Sequence, residues 1–254
     1  MKKIIIPLLI TIFIVFGIYN FYNEDKLNYV ALGDSLAQGE NPYGEIGYGY
    51  ADYIKEYLSG KDKLKSYTKG YAKSGDTTED LIDKIKNNVK AEIDNEQIGI
   101  KRALRESDLV TISIGANDLI QNMHFKNIQS LDTIDYTEIE KNIDKVTENV
   151  DKAITEIKKY AKKEILLIGY YNPINKKIVD NEKMKALIDK IDALYTDICA
   201  KQEIVYIKIS DVFVQNDQFL PNPFNIHPNY KGYQAISTKI INYLEKNNKK
   251  LAWK

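Results

Sequence analysis

Two hydrophobic patterns alternate along the chain from residue 28 to residue 250. Short apolar runs predict buried β-strands, and we place these strands at 28–33, 107–115, 164–171 and 203–210. The segment 66–75 is of mixed polarity and is predicted to be a further strand followed by a glycine turn. Longer segments carry apolar residues at three- and four-residue intervals, a spacing typical of amphipathic helices. We place these helices at 50–60, 77–89, 135–163, 181–202 and 229–250. Thr77, followed by Asp80 three residues later, predicts the N-cap of the second helix.

Strands that alternate with amphipathic helices predict an α/β fold, with a mostly parallel sheet covered by helices on both faces. No internal repeat or low-complexity linker divides this alternating region. We therefore predict one domain over residues 28–254. Residues 1–27 form a separate N-terminal segment in this prediction.

The N-terminal segment has the pattern of a signal or a membrane anchor. "MKK" precedes the fifteen uncharged residues "IIIPLLITIFIVFGI", and the uncharged run extends to Tyr22, nineteen residues in all. As a helix, nineteen residues span roughly 28 Å, just enough to cross a bilayer. No A-x-A-like cleavage site follows, so we favour a retained anchor over a cleaved signal. In both cases Lys2 and Lys3 hold the N-terminus inside, and the domain is expected to be extracytoplasmic.

Composition and charge exclude some classes of partner. The chain has 36 basic and 36 acidic residues, a formal net charge of +0, and no long basic stripe. Nucleic acid is therefore not expected as a partner. A single cysteine, Cys199, rules out an intrachain disulfide, and its helical context predicts a small buried apolar residue.

Chemically distinctive residues follow four of the predicted strands. Ser35 lies in "GDS", Gly75 in "KSGDT", Asn117 in "GAND" and His227 in "NIHPNYKGY". The carboxyl ends of parallel strands meet at one edge of a sheet, where ligands bind in open α/β folds. Ser35 and His227, although 192 positions apart in the chain, can therefore meet there.

These residue types suit acyl transfer. A serine hydroxyl is a weak nucleophile until a neighbouring base takes its proton, and His227 is the candidate base. The other histidine, His124, is expected to be a solvated loop residue. Candidate donors to an oxyanion are the N–H groups of Ser35 and Gly75 and the side-chain amide of Asn117. Each residue alone also fits a turn or a helix cap, but the four motifs in this order favour catalysis.

The four motifs, over residues 28 to about 245, resemble those of the SGNH hydrolases, also called the GDSL esterase/lipase family. This resemblance implies Ser35 as nucleophile, His227 as base, and Ser35, Gly75 and Asn117 as oxyanion donors. It implies a flavodoxin-like three-layer α/β/α fold, with five parallel strands in the order 2-1-3-4-5. It also implies that no metal or cofactor takes part.

The chain departs from the family pattern at one position. The family usually has Asp three residues before the histidine, and Phe224 stands there. Asn225 is one candidate to accept the Nδ1–H of His227, and a backbone carbonyl is another. A third hypothesis brings in a displaced acid such as Asp211 or Asp217. We favour the first two because they need no rearrangement of the loop.

The leading functional prediction is a membrane-anchored or secreted serine esterase. Its substrates are carboxylic esters on a small molecule, a lipid or a glycan, and the membrane is reached through the N-terminal segment. One alternative is a weakly catalytic or non-catalytic domain that binds glycans or lipids. Another is an acyltransferase that uses the same residues and passes the acyl group to an alcohol.

Overall fold

The computed structural model describes residues 26–122, 136–173, 181–213, 217–223 and 225–247. Its strands are β1 (Leu27–Gly33), β2 (Leu64–Thr68), β3 (Lys90–Ile93), β4 (Glu96–Gly99), β5 (Leu109–Ser113), β6 (Glu164–Ile168) and β7 (Val205–Ile207). A five-stranded sheet has the order β2-β1-β5-β6-β7, with every neighbouring pair parallel. Counted along the chain, these five strands follow the order 2-1-3-4-5. The flavodoxin-like topology is therefore confirmed.

Helices cover both faces of this sheet. They are α1 (Ser35–Gln38), α2 (Tyr50–Gly60), α3 (Thr78–Lys86), α4 (Ile100–Glu106), α5 (Ala116–Asn122), α6 (Tyr136–Lys158), α7 (Asn181–Gln202), α8 (Ser210–Phe213) and α9 (Tyr230–Lys246). A 3₁₀ turn over Asp217–Phe219 lies between α8 and α9. The long helices expected at 50–60 and 181–202 have the predicted bounds, and the other three are shorter than predicted.

The strand residues alternate between two hydrophobic clusters. Val30 and Leu32 of β1 pack with α3, α4, α6 and α7 on one face. Tyr29 and Ala31 of the same strand pack with α2, α8 and α9 on the other face. Successive side chains of a strand point to opposite faces of a sheet, so a strand that is buried on both faces reads as a continuous apolar run. This three-layer packing explains the apolar runs of the sequence.

The start of α3 follows its local sequence. The Thr77 hydroxyl accepts a hydrogen bond from the N–H of Asp80, and the Asp80 carboxylate accepts one from the N–H of Thr77. This reciprocal capping box satisfies two N–H groups that the helix itself leaves unpaired. The predicted N-cap at Thr77 is therefore confirmed.

The structure also contains elements that the hydrophobic pattern does not predict. Strands β3 and β4 pair as an antiparallel hairpin, followed directly by α4, within the stretch between the second predicted helix and the third predicted strand. The strand predicted over 66–75 ends at Thr68, and Gly70 to Gly75 form the loop to α3. The hairpin strands have only four residues each, too few for a clear alternation of apolar and polar positions.

Several expectations concern residues outside the described ranges. They include the N-terminal segment to residue 25, His124, Phe224 and the side chain of Asp217. Among the residues that the structure does describe, no helix is long and apolar enough to cross a membrane. Cys199 lies within the described core and is buried, and burial raises the pKa of its thiol to about 12. This environment suits the small apolar role predicted for it.

Candidate active site

The turn after β1 holds Ser35 at the carboxyl edge of the sheet. Gly33 ends the strand with φ +127°, and a Cβ at this position would lie 1.8 Å from the carbonyl oxygen of Ser113. Only glycine tolerates both this backbone conformation and this close approach. Asp34 then caps α1, with its carboxylate accepting from the N–H of Leu36 at 3.1 Å. Ser35 is thereby placed at the first position of the one-turn helix.

The carboxyl group of Asp34 is buried beneath this turn. One of its oxygens accepts both the Leu36 N–H and the hydroxyl of Ser113, the latter at 3.0 Å. Burial raises the pKa of Asp34 to about 7, although these hydrogen bonds favour the ionised form. Asp34 thus joins the nucleophile turn to the end of β5.

The structure brings Ser35, His227 and Asn225 into one hydrogen-bonded chain. His227 Nε2 lies 2.7 Å from Ser35 Oγ, and its Nδ1 lies 2.6 Å from Asn225 Oδ1. The same amide oxygen accepts the backbone N–H of His227 at 2.8 Å. Next to them, the carbonyl of Ile226 accepts from the hydroxyl of Tyr171 at 2.6 Å. These contacts orient the imidazole with Nε2 toward the serine.

Two of the hypotheses for the partner of His227 can be compared with this geometry. Asn225 has the position expected of an Nδ1 acceptor. Asp211, in contrast, is exposed and paired with Lys239 of α9. A displaced acid at Asp211 therefore receives no support from these contacts.

A carboxylate that the sequence analysis did not single out also lies beside His227. Glu40 Oε1 is 3.4 Å from His227 Nδ1, and the two side chains are only 13% and 12% exposed. Burial lowers the pKa of His227 below its usual 6.5, and the Glu40 carboxylate opposes this shift. Glu40 was not among the acids that the sequence suggested for His227, which were Asp211 and Asp217. Gly39, which ends α1 in a left-handed conformation, turns the chain back so that the Glu40 N–H reaches the Ser35 carbonyl, and no local pattern in the sequence shows that His227 lies opposite.

The candidate oxyanion donors lie on adjoining loops. The loop with Gly75 is held against the nucleophile turn by the N–H of Lys73, which donates to the carbonyl of Gly33 at 3.1 Å. Asn117 Nδ2 donates to the carbonyl of Asp76 at 2.9 Å, one residue after Gly75. Gly75 is exposed with φ +84°, and a Cβ built there would meet no atom within 4 Å. The side of Gly75 where a Cβ would stand is therefore open to solvent.

Asp118 ties the same two loops together. Its carboxylate accepts the backbone N–H of Thr78 at 2.9 Å and also the Thr78 hydroxyl. Thr78 is the first residue of α3, so the start of α5 and the start of α3 are joined. The "GAND" motif thus contributes a positioning contact as well as a candidate donor. Local spacing does not show this contact because its partners are 40 residues apart.

The described part of the chain contains no set of side chains suited to binding a metal ion. No group of three or more His, Cys, Asp or Glu side chains there could hold an ion. The site itself presents a buried serine hydroxyl, an imidazole, two carboxylates and several N–H donors.

Solved structures with a similar fold include lipases and an acetylxylan esterase. A lipase, Lip_vut3, from a goat rumen metagenome has a TM-score of 0.64 and 20% identity, and the match covers 84% of this chain and 95% of the lipase. An extracellular lipase of Streptomyces rimosus has a TM-score of 0.64 and 16% identity, and the match covers 85% of this chain and 98% of the lipase. A catalytic mutant of the acetylxylan esterase Axe2 of Geobacillus stearothermophilus has a TM-score of 0.58, 15% identity and coverage of 89% and 94%.

At this level of identity, the structural matches show the fold alone. No sequence of a curated protein matches the chain. The sequence model of the GDSL-like lipase/acylhydrolase family, however, matches residues 31–235, a range that contains Ser35, Gly75, Asn117 and His227. The chain therefore belongs to the GDSL-like lipase/acylhydrolase family, a family of carboxylic ester hydrolases.

Proposed function

We propose that the protein is an extracytoplasmic serine esterase in which Ser35 is the nucleophile and His227 the general base. The observation that supports this proposal best is the 2.7 Å distance between Ser35 Oγ and His227 Nε2. It lies within the reach needed for proton transfer between a nucleophile and its base. The N–H of Ser35, at the first helical position, has no partner within α1 and can serve the reaction.

The first half of the reaction forms an acyl-enzyme. Ser35 Oγ attacks the ester carbonyl carbon while its proton passes to His227 Nε2, and the carbonyl oxygen becomes an oxyanion. The tetrahedral intermediate then collapses. Its bond to the leaving alkoxide breaks, and the alkoxide takes the proton from His227 Nε2. Ser35 is left as an ester of the acyl group.

The second half returns the enzyme to its starting state. A water molecule attacks the acyl carbon and gives its proton to His227 Nε2. When the second tetrahedral intermediate collapses, Ser35 Oγ leaves and takes that proton back. The carboxylic acid is released, and no external acid or base is consumed at the site.

Both tetrahedral intermediates carry a negative oxygen that needs donors. The proposed donors are the backbone N–H groups of Ser35 and Gly75 and the amide of Asn117. The contact of Asn117 with the Asp76 carbonyl uses one N–H of that amide, and an amide group has two. Each preorganised donor is worth about 10²–10³ in rate.

The substrate class proposed is a carboxylic ester on a lipid or a glycan. Some structural neighbours are lipases and others acetylxylan esterases, which supports both kinds of ester. Placement outside the cytoplasm rests on Lys2 and Lys3 before the uncharged segment. Hydrolysis of p-nitrophenyl esters from acetate to long chains would give the preferred acyl length. An added acceptor sugar would reveal acyl transfer in place of hydrolysis.

A fluorophosphonate probe tests the assignment of the nucleophile. The purified domain should be labelled at Ser35, and Ser35→Ala should abolish the labelling because no activated hydroxyl remains. Ser59→Ala, which alters an exposed serine at the end of α2, is the matched control and should be labelled like the wild type. Peptide mass spectrometry identifies the labelled residue. Labelling that persists in Ser35→Ala would contradict the proposal, and a folded wild type that is never labelled would favour a binding domain.

A further inference from the structure

We infer that Glu40 is a positioning residue that supplies His227 with the negative charge missing at residue 224. The inference rests on the proposed function, because it assigns His227 the role of general base. The charge comes from the turn after the nucleophile, not from the loop before the histidine. Glu40 Oε1 lies 3.4 Å from His227 Nδ1.

Glu40 is held in this position by its backbone and by its side chain. Its N–H donates to the carbonyl of Ser35 at 3.0 Å, and its own carbonyl accepts from the hydroxyl of Tyr233 at 2.6 Å. Its Oε2 accepts the hydroxyl of Ser74, which leaves Oε1 directed to the imidazole. With two backbone anchors and one on its carboxylate, Glu40 needs little further ordering when His227 becomes charged.

Asn225 and Glu40 have different roles at His227 Nδ1. The amide oxygen of Asn225 is the closer acceptor, at 2.6 Å, and it sets the direction of the ring. An amide oxygen carries no net charge, so it stabilises imidazolium less than a carboxylate does. Glu40 supplies that charge from the side, in a largely buried setting where screening by water is weak. The pair together replaces the single Asp of the family pattern.

The other titratable groups near this pair, within the described ranges, are Asp34, Tyr171 and Tyr233. Asp34 lies at the start of α1, Tyr171 follows β6, and Tyr233 projects from α9 toward the Glu40 backbone. Burial raises the pKa values of both tyrosines, so they stay neutral around pH 7. Among the described residues, the Glu40 carboxylate is the charge that raises the pKa of His227 against the effect of burial. Asp34, with a pKa of about 7, can add a second step to an activity profile.

The contact with Ser74 also links the base to the oxyanion loop. Ser74 directly precedes Gly75, and its N–H donates to Gln38 Oε1 at 2.7 Å. Gln38 and Glu40 of the nucleophile turn therefore both bind the residue before the candidate oxyanion donor. One short segment, residues 35–40, thus contains the nucleophile Ser35, the carboxylate of Glu40 that faces His227, and the contacts that hold Ser74 next to Gly75.

The decisive measurement is the pKa of His227 in wild type and in Glu40→Gln. The chain has only two histidines, so an NMR titration of ring-labelled protein in a His124→Gln background follows His227 alone. Glu40→Gln keeps the shape and removes the charge. We expect the pKa of His227 to fall by about one unit, because an opposite charge at this range favours the protonated form. Glu45→Gln, an exposed carboxylate in the same loop, is the control and should leave the pKa unchanged.

Steady-state kinetics provides the second readout. Glu40→Gln should lower kcat about tenfold, as a loss of about one pKa unit of imidazolium stabilisation implies, with KM little changed. Adding Asn225→Asp puts a carboxylate directly on Nδ1 and should restore most of the lost kcat and raise the pKa of His227 again. If Glu40 had a merely structural role, Asn225→Asp would not restore kcat.

Two outcomes would overturn the inference. One is an unchanged pKa of His227 in a folded Glu40→Gln protein, and the other is an unchanged kcat despite a shifted pKa. Failure of the proposed function is a separate result, seen as a folded wild type that neither reacts with fluorophosphonate nor hydrolyses esters. In that case the NMR titration still decides whether the charge of Glu40 acts on His227.

Discussion

At the residue scale, the protonation of His227 determines when Ser35 can be activated. His227 must be neutral to accept the serine proton, so activity depends on its deprotonated fraction. Burial withdraws water from the imidazolium form and lowers its pKa, and the Glu40 carboxylate reverses only part of this effect. The neutral base therefore predominates at a lower pH than for an exposed histidine.

This balance predicts the pH profile of kcat/KM. We expect activity to rise with pH through a midpoint below about 6.5, the unperturbed value for histidine, and to be near its maximum at pH 7. Initial rates with p-nitrophenyl acetate from pH 4.5 to 8.5 would measure the midpoint. Asp34→Asn keeps the oxygen that accepts from Leu36 and Ser113 and removes a group with a pKa of about 7, so it separates the two titrations. A midpoint above 7 that remains in Asp34→Asn would contradict the prediction.

At the scale of elements, the site depends on how α5 and the loop before α3 are joined. Asn117 and Asp118, in the first turn of α5, bind Asp76 and Thr78. Lys84, in the last turn of α3, pairs with Asp76. The loop with Gly75 is thus fixed from both of the helices next to it.

This arrangement predicts that Asn117→Ala impairs catalysis far more than folding. We expect kcat to fall by about 10²–10³ through the lost oxyanion donor. The free energy of unfolding should fall by only about 1 kcal/mol, the value of one hydrogen bond. Urea denaturation and ester hydrolysis measure the two effects on the same samples.

The matched control for this substitution is Asn142→Ala in α6. Asn142 Nδ2 also donates to a backbone carbonyl at 2.9 Å, that of Glu138, but on a helix that contributes no candidate site residue. Its loss should have a similar effect on stability and leave kcat unchanged. If Asn117→Ala lost stability while activity per folded molecule stayed intact, Asn117 would be a helix-start residue only.

At the scale of the whole molecule, the N-terminal segment is proposed to hold the catalytic domain at the outer face of a membrane. The uncharged residues 4–22 follow two lysines, and β1 begins at Leu27. Only a few residues therefore separate the segment from the first strand. Such a short connection would keep the amino edge of the sheet close to the membrane surface, with the carboxyl edge and Ser35 one strand length farther out.

Membrane fractionation tests this proposal. The full-length protein should stay in the membrane pellet after a carbonate wash and should react with fluorophosphonate added outside intact cells. Ile12→Lys with Ile14→Lys should release it, because each lysine at the centre of a spanning helix costs about 2.5–3.5 kcal/mol. Ile12→Leu with Ile14→Leu is the control and should stay in the pellet. A soluble product that begins near Asn23 would show that the segment is a cleaved signal.

Local patterns in the sequence were enough to determine most of the framework. Apolar runs predict four of the five parallel strands, and helical spacing predicts the long helices, because a buried strand and an amphipathic helix each have a distinctive pattern. Thr77 and Asp80 predict a helix start because their partners are three residues apart. Ser35 and His227 were identifiable because the carboxyl ends of parallel strands meet at one edge.

Other features were decided only by the tertiary structure. The β3–β4 hairpin has strands too short to show a period. Glu40 lies beside His227 because the left-handed Gly39 reverses the chain and α9 places the histidine opposite, a contact that spans 187 residues of sequence. Asn225, one of several candidates in the sequence, was distinguished by where its loop lies. The packing of whole helices against the sheet decides which polar groups meet across such distances. A local sequence pattern contains no information on these contacts.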